Sequence, residues 1–296
     1  MFQRDFMEYH KDRFEDFSLM VFKNEKLVAV LPANKSKDEI YSHQGLTYGG
    51  LVLPARLKFQ AVLDIFKLVL TYLQANQIKK LILKQIPSIY CVLPSDELKY
   101  LMFILQAKLV RRDVLSVIDL SQKLSISSNR MEGVKRAQKL GLIIKEESTF
   151  DKFWNEILIP NLKEKHRIKP VHTLEEITLL KCRFPKNIRQ FNVYRKDKLV
   201  AGTTIFETKM VVHSQYISAD ADKNQTGSLD LLHYHLISEI FKGKKYFDFG
   251  ISNENQGKNI NKGLQFWKEG FGARTITQDF YEIKTENYKL LDTVFI

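Results

Sequence analysis

The sequence predicts an α/β (α+β) protein of two tandem units, each a mixed central sheet flanked by helices. Three observations predict it. The same order of hairpin, amphipathic helix, strand, helix and strand occurs twice. Short sequence fragments return with that order at a nearly constant spacing. The chain is 296 residues long and 44% hydrophobic, enough for one large core or two ordinary ones.

The recurrence can be read directly. VFKNEKLVAV from Val21 returns as VYRKDKLVAG from Val193, an offset of 172 residues. KKLILKQIP from Lys79 returns as KKYFDFGIS from Lys244, an offset of 165. LMFILQAKL from Leu101 lines up with LQFWKEGFG from Leu264, an offset of 163. The offset drifts slowly, as differences in loop length require.

In the first copy the strands cover 19–30 and 41–53, with a charged turn at Asn24-Glu25. An amphipathic helix over 57–74 follows, then a strand over 80–86, a helix, and a strand over 114–120. The second copy places strands over 191–206 and 211–217, a helix over 228–241, and strands over 245–251 and 275–283. Between the copies, 130–140 reads as a basic helix stopped by Gly141 in a left-handed cap. Either a solvated connector or a basic lid over an acidic substrate suits its charge. Ser148–Asp151 and Thr173–Glu176 read as helix starts, the second as a capping box. The units are therefore 1–125 and 126–296. The strand at 142–145 and the helix near Thr149 have no first-copy counterpart after Met1, so the first unit is expected to lack roughly thirty residues of the repeat.

Net charge is +12, from 46 Lys and Arg against 34 Asp and Glu. That excess suits phosphate-bearing partners and equally suits a merely basic, soluble surface. Cys91 and Cys182 form no CxxC pair, which excludes a cysteine metal site and points to a reducing compartment. The amino terminus is charged from its fourth residue and does not read as a signal peptide. The apolar run over 61–73 is broken by Asp64 and Lys67 and is too short to span a bilayer. A cytoplasmic protein without a membrane span is expected. Neither GxSxG, HExxH nor a P-loop pattern occurs.

The second copy carries a specific pattern: Tyr246-Phe247-Asp248-Phe249-Gly250, a loop, then Gly263-Leu264-Gln265-Phe266-Trp267-Lys268-Glu269-Gly270-Phe271-Gly272. It resembles the carboxy-terminal signature of the FemABX-like peptidyltransferases, which are built from two tandem GNAT N-acetyltransferase-like units. HQGLTYGGLVLP, from His43, is similar to a segment of the same group, and the basic helix resembles its connector. The resemblance runs through nearly the whole chain in order. Two departures stand out: there is no inserted coiled-coil pair, and Gly250 is followed by Ile251-Ser252 where many members carry a second glycine.

The resemblance implies transfer of an acyl or aminoacyl group to an amine, with acyl-CoA and aminoacyl-tRNA as candidate donors. The acceptor would be a cell-envelope or peptidoglycan precursor, such as a nucleotide-linked sugar or peptide. It makes Lys268 a candidate catalytic residue. A fixed cation there would stabilise negative charge building on the attacked carbonyl, and losing such a donor commonly costs about 3 kcal/mol. The first copy has Leu105 at that position, so the lysine is not part of the shared architecture. The plainer alternative is an ordinary solvent-facing helical lysine. Asp248 is a candidate general base or, more simply, an acceptor of backbone hydrogen bonds.

Gln225, Thr226, Gly227 and Ser228 occupy the place of an acetyltransferase pyrophosphate loop, with Leu229 where a small residue is expected. The plain reading is a loop ending in a Ser228 cap. For substrate binding the candidates are Tyr48, Gly49 and Gly50, near an acceptor cleft by resemblance, together with Phe266, Trp267 and Gly270. Gly270 and Gly272 also suit a helix end. His233 and His235 point to different faces and make no metal pair, and no metal is expected. His43 and His213, in SHQ and HSQ, suggest a structural or cleft-lining role.

Overall fold

The computed structural model describes residues 1–296, with the side chains of Lys165 and His166 excepted. In chain order, α1 (Arg4–Met7) leads to β1 (Glu15–Asp16), β2 (Leu19–Lys23), β3 (Lys26–Leu31), β4 (Asn34–Ser36) and β5 (Glu39–Tyr41). Next come α2 (Phe59–Ala75), β6 (Lys80–Lys84), α3 (Glu97–Ile104), β7 (Lys108–Asp119), α4 (Ser128–Lys139) and β8 (Leu142–Glu147). A π-helical turn at Phe153–Leu158 runs into α5 (Ile159–His166), followed by α6 (Leu174–Arg183), β9 (Ile188–Arg195), β10 (Lys198–Glu207) and β11 (Val211–Ala219). The short α7 (Lys223–Thr226) precedes α8 (Ser228–His235), which ends in a second π-helical turn, Leu236–Ile240. Then come β12 (Tyr246–Ile251), β13 (Asn253–Glu254), β14 (Asn259–Ile260), α9 (Lys262–Glu269) and β15 (Arg274–Lys284).

The residues group into two compact units. One holds Met1–Asp113, Asn255–Lys258 and Thr277–Ile296; the other holds Val114–Glu254 and Asn259–Ile276. In the first, β1, β4, β5, β6 and β15 lie side by side, with β5 and β6 parallel and the other neighbours antiparallel. In the second the order is β7, β12, β11, β10, β9, β8, with β11 and β12 parallel and the rest antiparallel. Mixed sheets flanked by helices are thus what the segment grammar predicted.

Helix α2 forms because Val62, Leu63, Phe66, Val69, Leu70 and Leu73 recur at helical spacing and are buried, while Asp64 and Lys67 face outward. It packs with Ile40, Leu81 and Leu83 in the first core. The second core gathers Phe191, Phe241, Phe247, Phe249 and Phe271, each such side chain contributing about 1.5–3 kcal/mol on burial. The capping box at Thr173–Glu176 is present in both directions, with Glu176 N donating to Thr173 Oγ1 at 3.2 Å and Thr173 N donating to Glu176 Oε2 at 2.9 Å. Gly141 sits at φ +68° after α4, as a left-handed cap requires.

One expected strand fails. Residues 41–53 pair only as far as Tyr41, and beyond it a single bridge joins Val30 to Val52. His43 at φ +66° and Gly50 at φ +98° break the extended run. Among the described residues no helix is long and apolar enough to cross a membrane.

Candidate functional site

In the second unit β11 and β12 pair over three rungs, Val211 with Tyr246, Val212 with Phe247 and His213 with Asp248. Beyond them the two strands share no further rungs. A register shift in β10–β11 falls beside Ile205, and another in β12–β7 falls between Asp248 and Ile251. Gly250 accommodates the second by taking φ +70°.

A cavity of about 560 Å³ lies in this unit. Leu158, Leu162, Ile217, Leu229, Leu264 and Trp267 give it an apolar wall, while Arg130, Asn161, Ser218, Lys223 and Asn224 line its polar side. Its volume and mixed lining suit a small-molecule or cofactor-sized group. Asn161 is fixed by donating to Ser218 Oγ at 2.8 Å and to Ala219 O at 2.7 Å.

Asp230 ties the rim together. Its Oδ1 accepts from Arg130 Nη1 at 2.7 Å and from Trp267 Nε1 at 2.9 Å. Burial pushes its carboxyl up, opposed by Trp267 and Arg130. Gly133 makes this possible, since a Cβ there would stand 1.9 Å from Asp230 Oδ2.

None of Gln225, Thr226, Gly227 and Ser228 lines this cavity, and the amides of the first three are engaged. Gln225 N and Thr226 N both donate to Asp222 O at 2.9 Å, and Gly227 N donates to Lys223 O at 2.9 Å. Gly227 caps α8 at φ +70°, so Ser228 is the first helical residue rather than its side-chain cap. A Cβ on Gly227 would stand 2.1 Å from Gly133 O, so this glycine serves close packing against α4. Neighbouring Lys223 and Asn224 line the cavity.

Lys268, in the last turn of α9, is 2% exposed, which removes the solvent-facing alternative. Its Nζ donates to Gly250 O at 3.0 Å and Ile251 O at 2.7 Å. Burial pulls the ammonium down to about 8, against the attraction of Asp248. It does not line the cavity. Asp248 is buried and accepts from Gly250 N at 2.7 Å through Oδ1. Its Oδ2 lies 2.8 Å from His213 Nδ1.

Phe266 stands 64% exposed on α9, outside the cavity lining, whereas Trp267 lines it. Gly270 accepts from Ser127 N at 2.8 Å, and a Cβ there would meet Arg130 Cγ at 2.9 Å. Tyr48, Gly49 and Gly50 belong to the first unit. Tyr48 is buried against Tyr90, with ring centroids 4.1 Å apart, and a Cβ on Gly49 would overlap Ser42 O. Among the described residues no group of three His, Cys, Asp or Glu side chains is placed to hold a metal ion.

Sequence reasoning missed Asp230 and Asn161 altogether and met Arg130 only as the start of the basic helix. It noticed His213 only for its symmetry with His43. An aspartate in the first turn of a helix that continues Leu231-Leu232 was the one available signal for Asp230.

No family model matches the chain, and no curated protein does. Solved structures do. FemX matches at 10% identity with TM-score 0.65, over 98% of this chain and 94% of its own. The C-terminal domain of a candidate lysylphosphatidylglycerol synthetase from Agrobacterium fabrum matches at 11% identity and TM-score 0.63, over 94% and 90%. L-PGS from Bacillus licheniformis matches at 13% and 0.60, over 98% and 96%. The resemblance expected from the Tyr246–Gly272 pattern therefore holds for the fold: this chain has the fold of FemX and of the L-PGS proteins.

Proposed function

We propose that the chain is an acyltransferase that moves an acyl or aminoacyl group onto an amine acceptor, with its donor seated in the second unit. The observation that carries this reading is the 560 Å³ cavity on the outer half of β11, past its last rung with β12, with apolar walls and with Lys223, Asn224 and the Arg130–Asp230 pair on its polar side. A thioester or ester donor needs an apolar slot for the acyl portion and a cation such as Lys223 for a phosphate-bearing carrier. The fold shared with FemX and L-PGS supports the reaction class.

Acyl-CoA and aminoacyl-tRNA are the two donors proposed, and an amine on a cell-envelope precursor is the acceptor proposed. Lys268 and Asp248, two buried side chains in electrostatic attraction, belong to the same proposal. Internal duplication is proposed as the origin of the two units, supported by one parallel strand pair in each unit.

The test is calorimetric titration with CoA and acetyl-CoA at low and moderate salt, repeated with Ser218→Trp, which fills the cavity. Saturable binding lost in the variant selects the CoA enzyme. No binding by the wild type, followed by transfer from aminoacyl-tRNA to an amine, selects the other donor. Salt-sensitive RNA binding with no transfer from either donor would instead make the chain a basic binding module.

A further inference from the structure

His213 lies outside the cavity lining and has no part in holding a donor there. We propose that His213 is the proton acceptor of the transfer, that Asp248 orients it, and that Lys268 is a positioning residue acting on the pair through Gly250. The proposal rests on the transferase reading above and assigns the step which that reading leaves open. When an amine nitrogen bonds to the donor carbonyl carbon, the carbon–sulfur or carbon–oxygen bond to the carrier breaks. The nitrogen must also shed one proton. A neutral imidazole takes that proton and returns it to the departing thiolate or alkoxide, so the step balances without another reactant.

The geometry supplies such an imidazole. His213 and Asp248 are register partners on adjacent parallel strands, which puts their side chains on one face of the sheet. With Asp248 Oδ2 at 2.8 Å, the carboxylate fixes the ring proton on Nδ1 and leaves the lone pair on Nε2. Of the two side chains only that of His213 reaches solvent, 8% exposed against 0% for Asp248. The histidine, not the aspartate, is the member an amine can meet.

The orienting carboxylate is itself held. Gly250 N donates to Asp248 Oδ1, while Gly250 O accepts from Lys268 Nζ, so one left-handed residue is gripped at both ends of its backbone. A Cβ on Gly250 would come within 3.2 Å of His213 Cε1, so glycine leaves the ring its place. Lys268 thereby acts on the histidine without touching a substrate. The corresponding His43 of the first unit has a different arrangement: its Nδ1 faces Gly45 N at 3.2 Å and its ring stacks on His10 at 4.7 Å.

The first measurement needs no substrate. Nitrogen-15 spectra of the histidine-labelled full chain at pH 8, assigned with His213→Gln, are expected to show His213 as the Nδ1–H tautomer. An Nε2–H tautomer, or an imidazolium persisting at that pH, overturns the proposal whether or not the protein is a transferase. The second measurement uses acetyl-CoA or aminoacyl-tRNA, whichever the wild type turns over. His213→Gln is expected to lower kcat by about 10²–10⁴-fold with donor KM unchanged and to remove the acid limb of the pH profile. Imidazole is expected to restore part of the activity of His213→Gly. Lys268→Met is expected to lower kcat and disturb the His213 tautomer signal, and Lys268→Arg to recover both. Unchanged kcat in His213→Gln overturns the assignment. Failure of the wild type on both donors refutes the transferase reading and leaves the tautomer to decide the orientation.

Discussion

Replacing Lys268 by Met tests what a buried cation costs this fold. Its ammonium titrates at about 8 when folded against 10.5 in the open chain. Between those values the unfolded chain binds the extra proton, so the group's contribution to stability rises with pH and is flat below the folded value. Integrated for one site, the gain between pH 8 and pH 10 is about 2 kcal/mol. Against this stand two hydrogen bonds from a charged donor to Gly250 O and Ile251 O, each worth about 1.5–3 kcal/mol. Lys268→Met loses both and leaves the buried Gly250 carbonyl without this donor, so the variant should be less stable at pH 7 despite shedding a buried charge. The assay is urea denaturation of both proteins at intervals from pH 7 to pH 10. The comparison is needed because Lys84, also lowered to about 8 by burial, titrates in the same window and cancels in the difference. The gap between wild type and variant should widen by about 2 kcal/mol from pH 8 to pH 10. A constant gap would show that Lys268 is not a buried, titrating ammonium.

Acid should weaken the first unit through His10 and His43, both held neutral by burial and lowered from 6.5 to about 4. Their stabilising contribution is complete above 6.5 and is lost as pH falls towards 4, so His10→Phe should flatten that slope in denaturation curves at pH 7 and pH 5. Gly227→Ala should destabilise by more than about 1 kcal/mol, because its Cβ meets Gly133 O and φ is positive, and a melting scan will show it. Any accompanying loss of CoA affinity would therefore not identify a phosphate loop, and Lys223→Glu is the cleaner probe. Arg130→Met should cost about 3–5 kcal/mol at pH 7 by leaving the buried Asp230 carboxylate without its cation, with Trp267 Nε1 still donating to it. That deficit should shrink as pH falls, because burial already raises the carboxyl and losing the cation raises it further, and a loss that stays equal on acidification would contradict the pairing.

Helix α9 shows where reading the sequence reaches its limit. Its lysine is buried and its Phe266 is 64% exposed, the reverse of what hydrophobicity assigns. Lys268 was nevertheless singled out, because a motif and an unmatched Leu105 in the other copy marked it. Its partners, two backbone carbonyls, could not be read from that motif. Asp248 was noticed for its strand position, yet its partner His213 lies 35 residues away, and only strand register brings them together. Arg130 and Asp230 are 100 residues apart and meet only because Gly133 and Gly227 let α4 approach α8.

By itself the sequence determined what depends on neighbours within a turn or a strand. Examples are the spacing that makes α2, the capping box at Thr173, the cap at Gly141 and the chain order of strands and helices within each unit. Tertiary structure alone decided the cavity, the His213–Asp248 pair and the burial of Lys268. Local propensities and periodicities act over a few residues and leave their trace in composition and spacing. Which side chain faces which across a crossover is set by register and close packing, and many sequences with the same local pattern would satisfy those differently.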